Sequence, residues 1–304
     1  MEFRNNTETS RTGGTDMKIA LASCSNLPDW EVDDYPFWEA LKTHNVDVHN
    51  PDWRDNTLDW SSFDAVLIRT TWDYTDHPSE FLKWLKHVNQ QTLLLNSLKL
   101  IQWNFNKSYL KDLEQKGASI APTLWLKNDA YQDIDALMKK QGWTRGFIKP
   151  IVGACAIGTL RFNIEDSEAA TQHLRSLKTD CMLQPYIESV EKTGELSLIY
   201  FDGVLSHAVR KVPVPGDYRV QDDYGASDEA ITPPIPLKKM GHHVLTLLEE
   251  VPLYARVDAL WHQDKWVLNE LELIEPSLFF RHSPNAANLL CSALIKKVEF
   301  QDQI

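Results

Sequence analysis

The chain has 304 residues, 43% of them hydrophobic and 24% charged, which bounds it to a folded globular protein of about two domains. A net charge of −12 lacks the basic patch that nucleic-acid binding needs, and no run of about 18 apolar residues offers a membrane span. Cys24, Cys155, Cys181 and Cys291 are scattered without a CxxC pair, so neither a disulfide framework nor a zinc site is indicated.

The first 16 residues, MEFRNNTETSRTGGTD, are polar and have no apolar core. They read as a disordered leader (residues 1–16) rather than a secretory signal, and a cytoplasmic protein is expected. Folding is expected to start at Met17, with KIALAS as a buried strand. DDYPFWEALKTHNV then spaces Phe37 and Leu41 as a helix does, VDVHNPDW follows, and DAVLIRTTW carries a strand over 65–69. HPSEFLKWLKHVN is a second helix and TLLLNS a further short strand. Strands alternating with helices predict a small parallel α/β sheet, whose ligands bind beyond the carboxyl ends of the strands. That edge carries RTTWDY, so Arg69, Trp72, Asp73 and Tyr74 are candidate substrate contacts.

From Trp103 the texture changes. NFNKSYLKDLEQKG predicts one helix containing Lys107, SIAPTLWL a strand entry, and DAYQDIDALMKKQG another helix. GFIKPIVGACAIGTLRF reads as strand, small-residue turn, strand; EDSEAATQHLRSL is helical and CMLQPYI a strand. Asp202-Gly203 divides two apolar runs, a strong hairpin signal. VPGDYRVQDDYGASDEAITPPIP is a long polar loop, PLKKMGHHVLTLLEEV a helix, LYARVDALWHQDKWVLNELELIE a hairpin, and PNAANLLCSALIKKV a closing helix.

Chemistry concentrates on the second of those hairpins. In VLNELELIEPS, Glu270 and Glu272 are two residues apart and share one strand face, where they repel unless a cation lies between them. The turn HQDK folds Asp258 back toward the same face. Three carboxylates offer hard oxygen ligands suited to Mg2+ or Mn2+; the alternative is a solvated acidic face, against which the apolar Val267, Leu268, Leu271 and Leu273 argue. Lys149 precedes the turn GACAIGT (153–159), whose Gly153 and Gly158 let backbone amides approach phosphate oxygens. It is not a GxxxxGK[ST] loop. In LQPYI, Gln184, Pro185, Tyr186 and Ile187 could wall a flat ring or simply form a core strand. Of His207, Arg210, Lys211 and Arg219, which could bind an anionic substrate or belong to hairpin surface, Arg210 is the favoured one.

The order of Lys107, Lys149 with its turn, QPYI, Gly194-Glu195, Arg210-Lys211, Arg256–Asp258 and ELE resembles the ATP-grasp ligases across nearly the whole chain. The resemblance implies a pre-ATP-grasp parallel α/β domain (17–102) followed by an ATP-grasp fold of two α+β subdomains (103–304), with about 126–186 as the smaller lid. It also implies roles. Lys107 and Lys149 contact ATP phosphates, Gly153 to Thr159 close over them, and Gln184 to Ile187 hold adenine. Glu188 or Glu191 binds ribose, and Asp258, Glu270 and Glu272 hold Mg2+ or Mn2+. The turn is less glycine-rich than usual in the family, and many relatives have asparagine where Glu272 stands. Arg256 resembles the arginine that steadies the reacting carboxylate in D-alanine–D-alanine ligases, and Arg256 and Arg210 would stabilise developing oxyanions. RTTWDY, SHAVRKVPVPGDYRVQDDYG and ELELIEPSLF are similar to a narrower glutathione-synthase-like branch that includes the cycloserine-forming ligase.

The activity so implied is ATP-dependent ligation through an acyl phosphate, amide-forming or cyclising, on an amino-acid-like small molecule. A kinase of the same fold and a nucleotide-binding regulatory protein are the alternatives. No nucleic acid or membrane partner is expected, and a homo-oligomer stays open.

Overall fold

The structure is a computed structural model that describes residues 17–25, 27, 33–130, 132–153, 158–217, 219–220 and 225–301. The expected leader lies outside these, as do residues 154–157 of the small-residue turn. The first sheet contains β1 (Lys18–Ser23), β2 (Asp47–His49), β3 (Ala65–Thr70) and β4 (Leu93–Leu95), all parallel, in the order β2-β1-β3-β4. Both central strands are near-continuous apolar runs because both sheet faces are covered. α1 (Tyr35–Thr43) buries Phe37, Ala40 and Leu41, and α2 (Pro78–Gln91) buries Phe81, Trp84, Leu85 and Val88, the spacing of one helical face. Beyond the carboxyl end of β3, the Tyr74 ring packs 4.7 Å from Phe81 and 5.6 Å from Phe105.

The helix predicted over 104–117 is shorter, α4 (Tyr109–Gln115), and leaves Lys107 outside it. Between α3 (Leu98–Asn104) and α4 runs a turn in which Asn106 Oδ1 accepts from the Ser108 amide at 2.9 Å. Such a side-chain bond competes with the helix ladder. The Lys107 amide is drawn off too, donating to the Ile151 carbonyl at 2.7 Å.

Four strands form a second, antiparallel sheet: β5 (Leu124–Leu126), β6 (Arg145–Pro150), β7 (Leu160–Asn163) and β8 (Cys181–Pro185), ordered β5-β8-β6-β7. α5 (Ile134–Gln141) and α6 (Ser167–Leu177) cover it through Met138, Ala170 and Leu174. A one-turn helix, α7 (Ser189–Lys192), leads into the third sheet. This holds β9 (Glu195–Phe201), β10 (Val204–Val212), β11 (Ser227–Ala230), β12 (Tyr254–His262) and β13 (Lys265–Glu272), all antiparallel, ordered β11-β10-β9-β12-β13. The β9–β10 turn places Asp202 and Gly203 at φ of 46° and 76°, as a tight hairpin turn requires. β11 lies inside the expected polar loop; its sequence, SDEA, has no apolar alternation, and backbone pairing to β10 alone makes it a strand.

α8 (Ile235–Thr246) packs on the third sheet, and α9 (Ala286–Gln301) closes against both α1 and that sheet through Leu290, Leu294 and Val298. Among the described residues no helix is long and apolar enough to cross a membrane.

Two buried asparagines join the first part of the chain to the third sheet. Asn96, 1% exposed, donates from Nδ2 to the Tyr254 and Leu273 carbonyls at 2.9 and 2.8 Å and accepts from the Leu253 amide at 2.6 Å. Asn104 donates to the Leu271 carbonyl at 2.8 Å and accepts from the Leu273 amide at 3.0 Å. Buried backbone groups that lose such partners are costly. Asn96→Ala is therefore expected to lower stability by about 2–4 kcal/mol, measured as a lower urea midpoint; a loss under about 0.5 kcal/mol would mean other groups satisfy those backbone atoms.

Candidate active site

The register of β12 and β13 builds the site. Asp258 stands opposite Glu270 and Arg256 opposite Glu272, with a register shift after Asp258. Because strand side chains alternate, these four share a face. The row continues across β9 and β10, where Asp258 pairs with Ser197 and Lys211 with Glu195. Strand pairing thus sets acids and bases side by side. Lys211 Nζ is 2.5 Å from Glu195 and 3.4 Å from Asp258, and Arg256 reaches Asp258 at 3.0 Å. Arg256 also bonds Glu272, Lys107 bonds Glu270, and the Ser197 hydroxyl donates to Asp258.

This face floors a cavity of about 290 Å3. The β5–β8 sheet roofs it with Phe147, Lys149, Gln184 and Pro185, and the parallel-sheet side supplies Trp72 and Tyr74. Phe279 lines the same end at a φ of +52°, with the Arg256 and Arg281 guanidiniums 5.7 and 5.0 Å from its ring.

Burial and pairing compete at every charge. Burial alone would raise Asp258, but Arg256 and Lys211 outweigh it and hold the carboxyl at about 2. Burial also opposes ionisation of Glu270, and the Lys107 ammonium more than offsets that, holding it below its usual range. At Glu272 burial wins: despite Arg256, the group is pushed up to about 8, with Asp258 and Glu270 adding repulsion. Burial likewise lifts Glu275 to about 7 and pulls Lys149 down.

The cavity gathers many of the residues singled out in the sequence: Lys107, Lys149, Gly153, Gln184, Pro185, Ile187, Arg256, Asp258, Glu270, Glu272, Trp72 and Tyr74. Others stand elsewhere. Arg210 alternates to the opposite face of β10, where it donates to the Thr193 and Lys192 carbonyls and meets Glu229 at 3.0 Å; Lys211 takes the inward place, 5% exposed. Tyr186 likewise turns away and bonds Glu191, while Arg145 lies 3.6 Å from Glu188 and 3.7 Å from Glu191, and neither glutamate lines the cavity. Arg69, 2% exposed, is held by Asp34 at 2.7 Å and donates to the Pro276 carbonyl at 3.0 Å. It lines a separate cavity of about 10 Å3. Asp73 accepts from Trp53 Nε1 at 2.6 Å, and Gly158 also stands outside the lining. Glu195 and Glu275 were not singled out as ligands. Hairpin register would have found Glu195, whereas Glu275 follows the end of β13 and has no periodicity to betray it.

Among the described residues no three His, Cys, Asp or Glu side chains gather as a metal group. Both Asp258 oxygens are engaged by Arg256, with Ser197 and Lys211 adding one contact each, whereas Glu270 and Glu272 are each held through one oxygen.

A parallel α/β sheet followed by two antiparallel sheets that close on a cleft of paired lysines and carboxylates is the architecture of ATP-grasp ligases, and the comparisons agree. A family model described as the D-cycloserine synthetase DcsG N-terminal domain matches residues 19–96. The cycloserine biosynthesis protein DcsG of Streptomyces lavendulae is 32% identical over 282 residues, covering 87% of this chain and 93% of that protein. The crystal structure of D-cycloserine synthetase DcsG is similar with a TM-score of 0.84 at 28% identity, covering 92% of this chain and 99% of the other. D-alanine–D-alanine ligase from Bacillus anthracis complexed with ATP is similar in fold, with a TM-score of 0.68 at 16% identity over 94% of this chain and 99% of that one. The fold and the relatives are those of an ATP-dependent ligase. Within that class, the chain belongs to the ATP-grasp family that contains the cycloserine biosynthesis protein DcsG.

The elevated Glu272 has a pH signature. Between its ordinary value of 4.5 and about 8 the folded protein keeps a proton that the unfolded chain has released. Stability from this group is therefore present at low pH and lost as pH rises through that window. In chelator and without nucleotide, the thermal midpoint should fall from pH 5 towards pH 8. Glu272→Gln should flatten that fall; an unchanged slope would remove Glu272 as its source.

Proposed function

We propose that the protein activates the carboxylate of an amino-acid-like small molecule as an acyl phosphate and passes the acyl group to an amine, on a second molecule or within the same one. The observation that carries this is the meeting of Lys107, Lys149 and Lys211 around one cavity whose roof is the β6 and β8 strands. Three ammonium groups suit a triphosphate, and the edge from Gln184 to Ile187 offers backbone and apolar surface to a flat base. The roofing sheet, about 126–186, is assigned as the lid over the nucleotide, and residues 17–102 as the preceding α/β domain. ATP use places the work in the cytoplasm.

A carboxylate oxygen of the substrate attacks the γ-phosphorus as the bond to the ADP oxygen breaks. The amine lone pair then adds to the acyl carbon, and phosphate departs with the carbonyl restored. Arg256, on the floor, steadies negative charge on the acyl oxygens, and Lys107, Lys149 and Lys211 hold phosphate oxygens in line. No protein nucleophile is required. Mg2+, or Mn2+, fits Glu270 and Glu272, whose crowding a divalent cation relieves; Asp258 joins them only by giving up contacts with Arg256 as well as Lys211. When bound, such an ion neutralises phosphate charge.

Screening L- and D-amino acids and dipeptides with ATP and Mg2+ tests the reading. Acid-dependent release of ADP and free phosphate in equal amounts is expected. ADP formed while phosphate stays on the acid would make the protein a kinase, and nucleotide binding without any turnover would make it a regulatory protein.

Lys149→Ala and Lys211→Ala should each weaken binding of a non-hydrolysable ATP analogue by on the order of tenfold, as loss of a charge-assisted contact predicts. Arg210→Ala should change it less than about twofold, since that side chain faces away. Calorimetric titration decides the matter, and the opposite ranking would move the phosphate site off this cavity.

A further inference from the structure

The carboxylates lining the cavity are Glu195, Asp258, Glu270, Glu272 and Glu275. Lys211 serves Glu195 and Asp258, Lys107 serves Glu270, and Arg256 serves Asp258 and Glu272. Glu275 differs from them: among the described residues it has no ion-pair partner. Every lysine, arginine and histidine between Met17 and Gln301 is among those residues, so that stretch holds no undescribed cation. Burial lifts its carboxyl to about 7, even though Lys107 and Arg256 are near enough to favour the charged form; neither makes an ion pair with it.

Its surroundings say what would complete it. The Tyr74 hydroxyl lies close enough to favour the charged form of Glu275, and the Tyr74 ring is fixed against Phe81 and Phe105, so a rigid donor stands beside the carboxylate. Trp72 lines the same end of the cavity, and an aromatic ring beside a carboxylate is the chemistry that receives an ammonium group. Arg256 donates to the Ser277 carbonyl at 3.2 Å, two residues beyond Glu275. The arginine assigned to the reacting carboxylate and the carboxylate without an ion-pair partner therefore line the same cavity, as does Lys149, a cation with no ion-pair partner among the described residues.

We infer that Glu275, oriented by Tyr74, binds a positively charged amine of the substrate, so that a free ammonium close to the activated carboxylate is required for recognition. The inference rests on the ligase reading and deepens it, turning amino-acid-like into a zwitterion whose amine is read by one named side chain. Pairing with the ammonium draws Glu275 back into its ionised form and supplies the direct ion pair that Lys107 and Arg256 do not make.

The test uses the full chain with Mg2+ and a non-hydrolysable ATP analogue, titrated with L- and D-amino acids and with the same acids lacking the α-amine (alanine against propionate, serine against 3-hydroxypropionate). An amine preference on the order of tenfold or more is expected in the unsubstituted protein. Glu275→Gln should reduce it to less than about threefold while leaving affinity for the ATP analogue and the Mg2+ requirement unchanged. Glu275→Asp, which keeps the charge, should retain part of the preference. No preference in the unsubstituted protein, no binding by any acid in the panel, or a preference that survives Glu275→Gln each overturns the inference. A raised Mg2+ requirement in Glu275→Gln overturns it as well and puts the residue with the metal acids. ADP release, measured with ATP in place of the analogue, separates the two readings: acid-driven release without amine preference sinks this inference alone, whereas amine-selective binding with no release sinks the ligase reading and keeps the site.

Discussion

The antiparallel pairing of β12 with β13 is the constraint from which the rest follows. It sets Asp258 against Glu270 and Arg256 against Glu272 on one half-buried face, a concentration of charge that no strand pair would tolerate alone. Relief comes from three directions. Lys107 arrives from the turn between α3 and α4, Lys211 from β10, and Arg256 from within β12 itself. Each base is therefore a folding requirement as well as a chemical group, and the site forms only when distant segments have already met. Asn96 and Asn104 serve the same end from beneath, bonding the backbone on either side of Glu272.

Much of this could be read from the amino-acid order. The alternation of VLNELELIE marked β13 and its acids, Asp202-Gly203 marked the β9–β10 turn, and the apolar runs marked β1 and β3. The failures share a physical cause: they depended on which face a side chain took or on contacts between remote segments. Arg210 and Lys211 are adjacent, and only register with Glu195 decides which one enters the cavity. Lys107 sits where helix propensity is good, yet an Asn106 side chain and the Ile151 carbonyl break the helix around it. Arg69 ends a strand where substrate was expected, but Asp34, far away in sequence, claims it first.

The two ends of the cavity differ in kind. One, lined by β6, β8, β12 and β13, is built from regular strands, and a ligase of 16% identity shares the fold that carries them. The end bordered by Trp72, Glu275 and Phe279 is made by segments that follow strands rather than by strands themselves. Phe279 even holds a left-handed backbone conformation, a strained state for a bulky side chain that tends to be kept where geometry matters.

The covering of β13 has a consequence for assembly. Its outer side accepts the Ala121 amide at the Leu268 carbonyl and donates from the Leu268 amide to the Ser119 carbonyl, each at 2.8 Å. That edge of the five-stranded sheet is thus occupied by the chain itself in the middle of the strand. The opposite edge, β11, is only four residues long, and its Asp228 and Glu229 are already taken by Arg281 and Arg210, so it offers a second copy a short template. Neither margin of this sheet invites strand-to-strand addition, so the sheet that carries the acids is poorly disposed to runaway stacking.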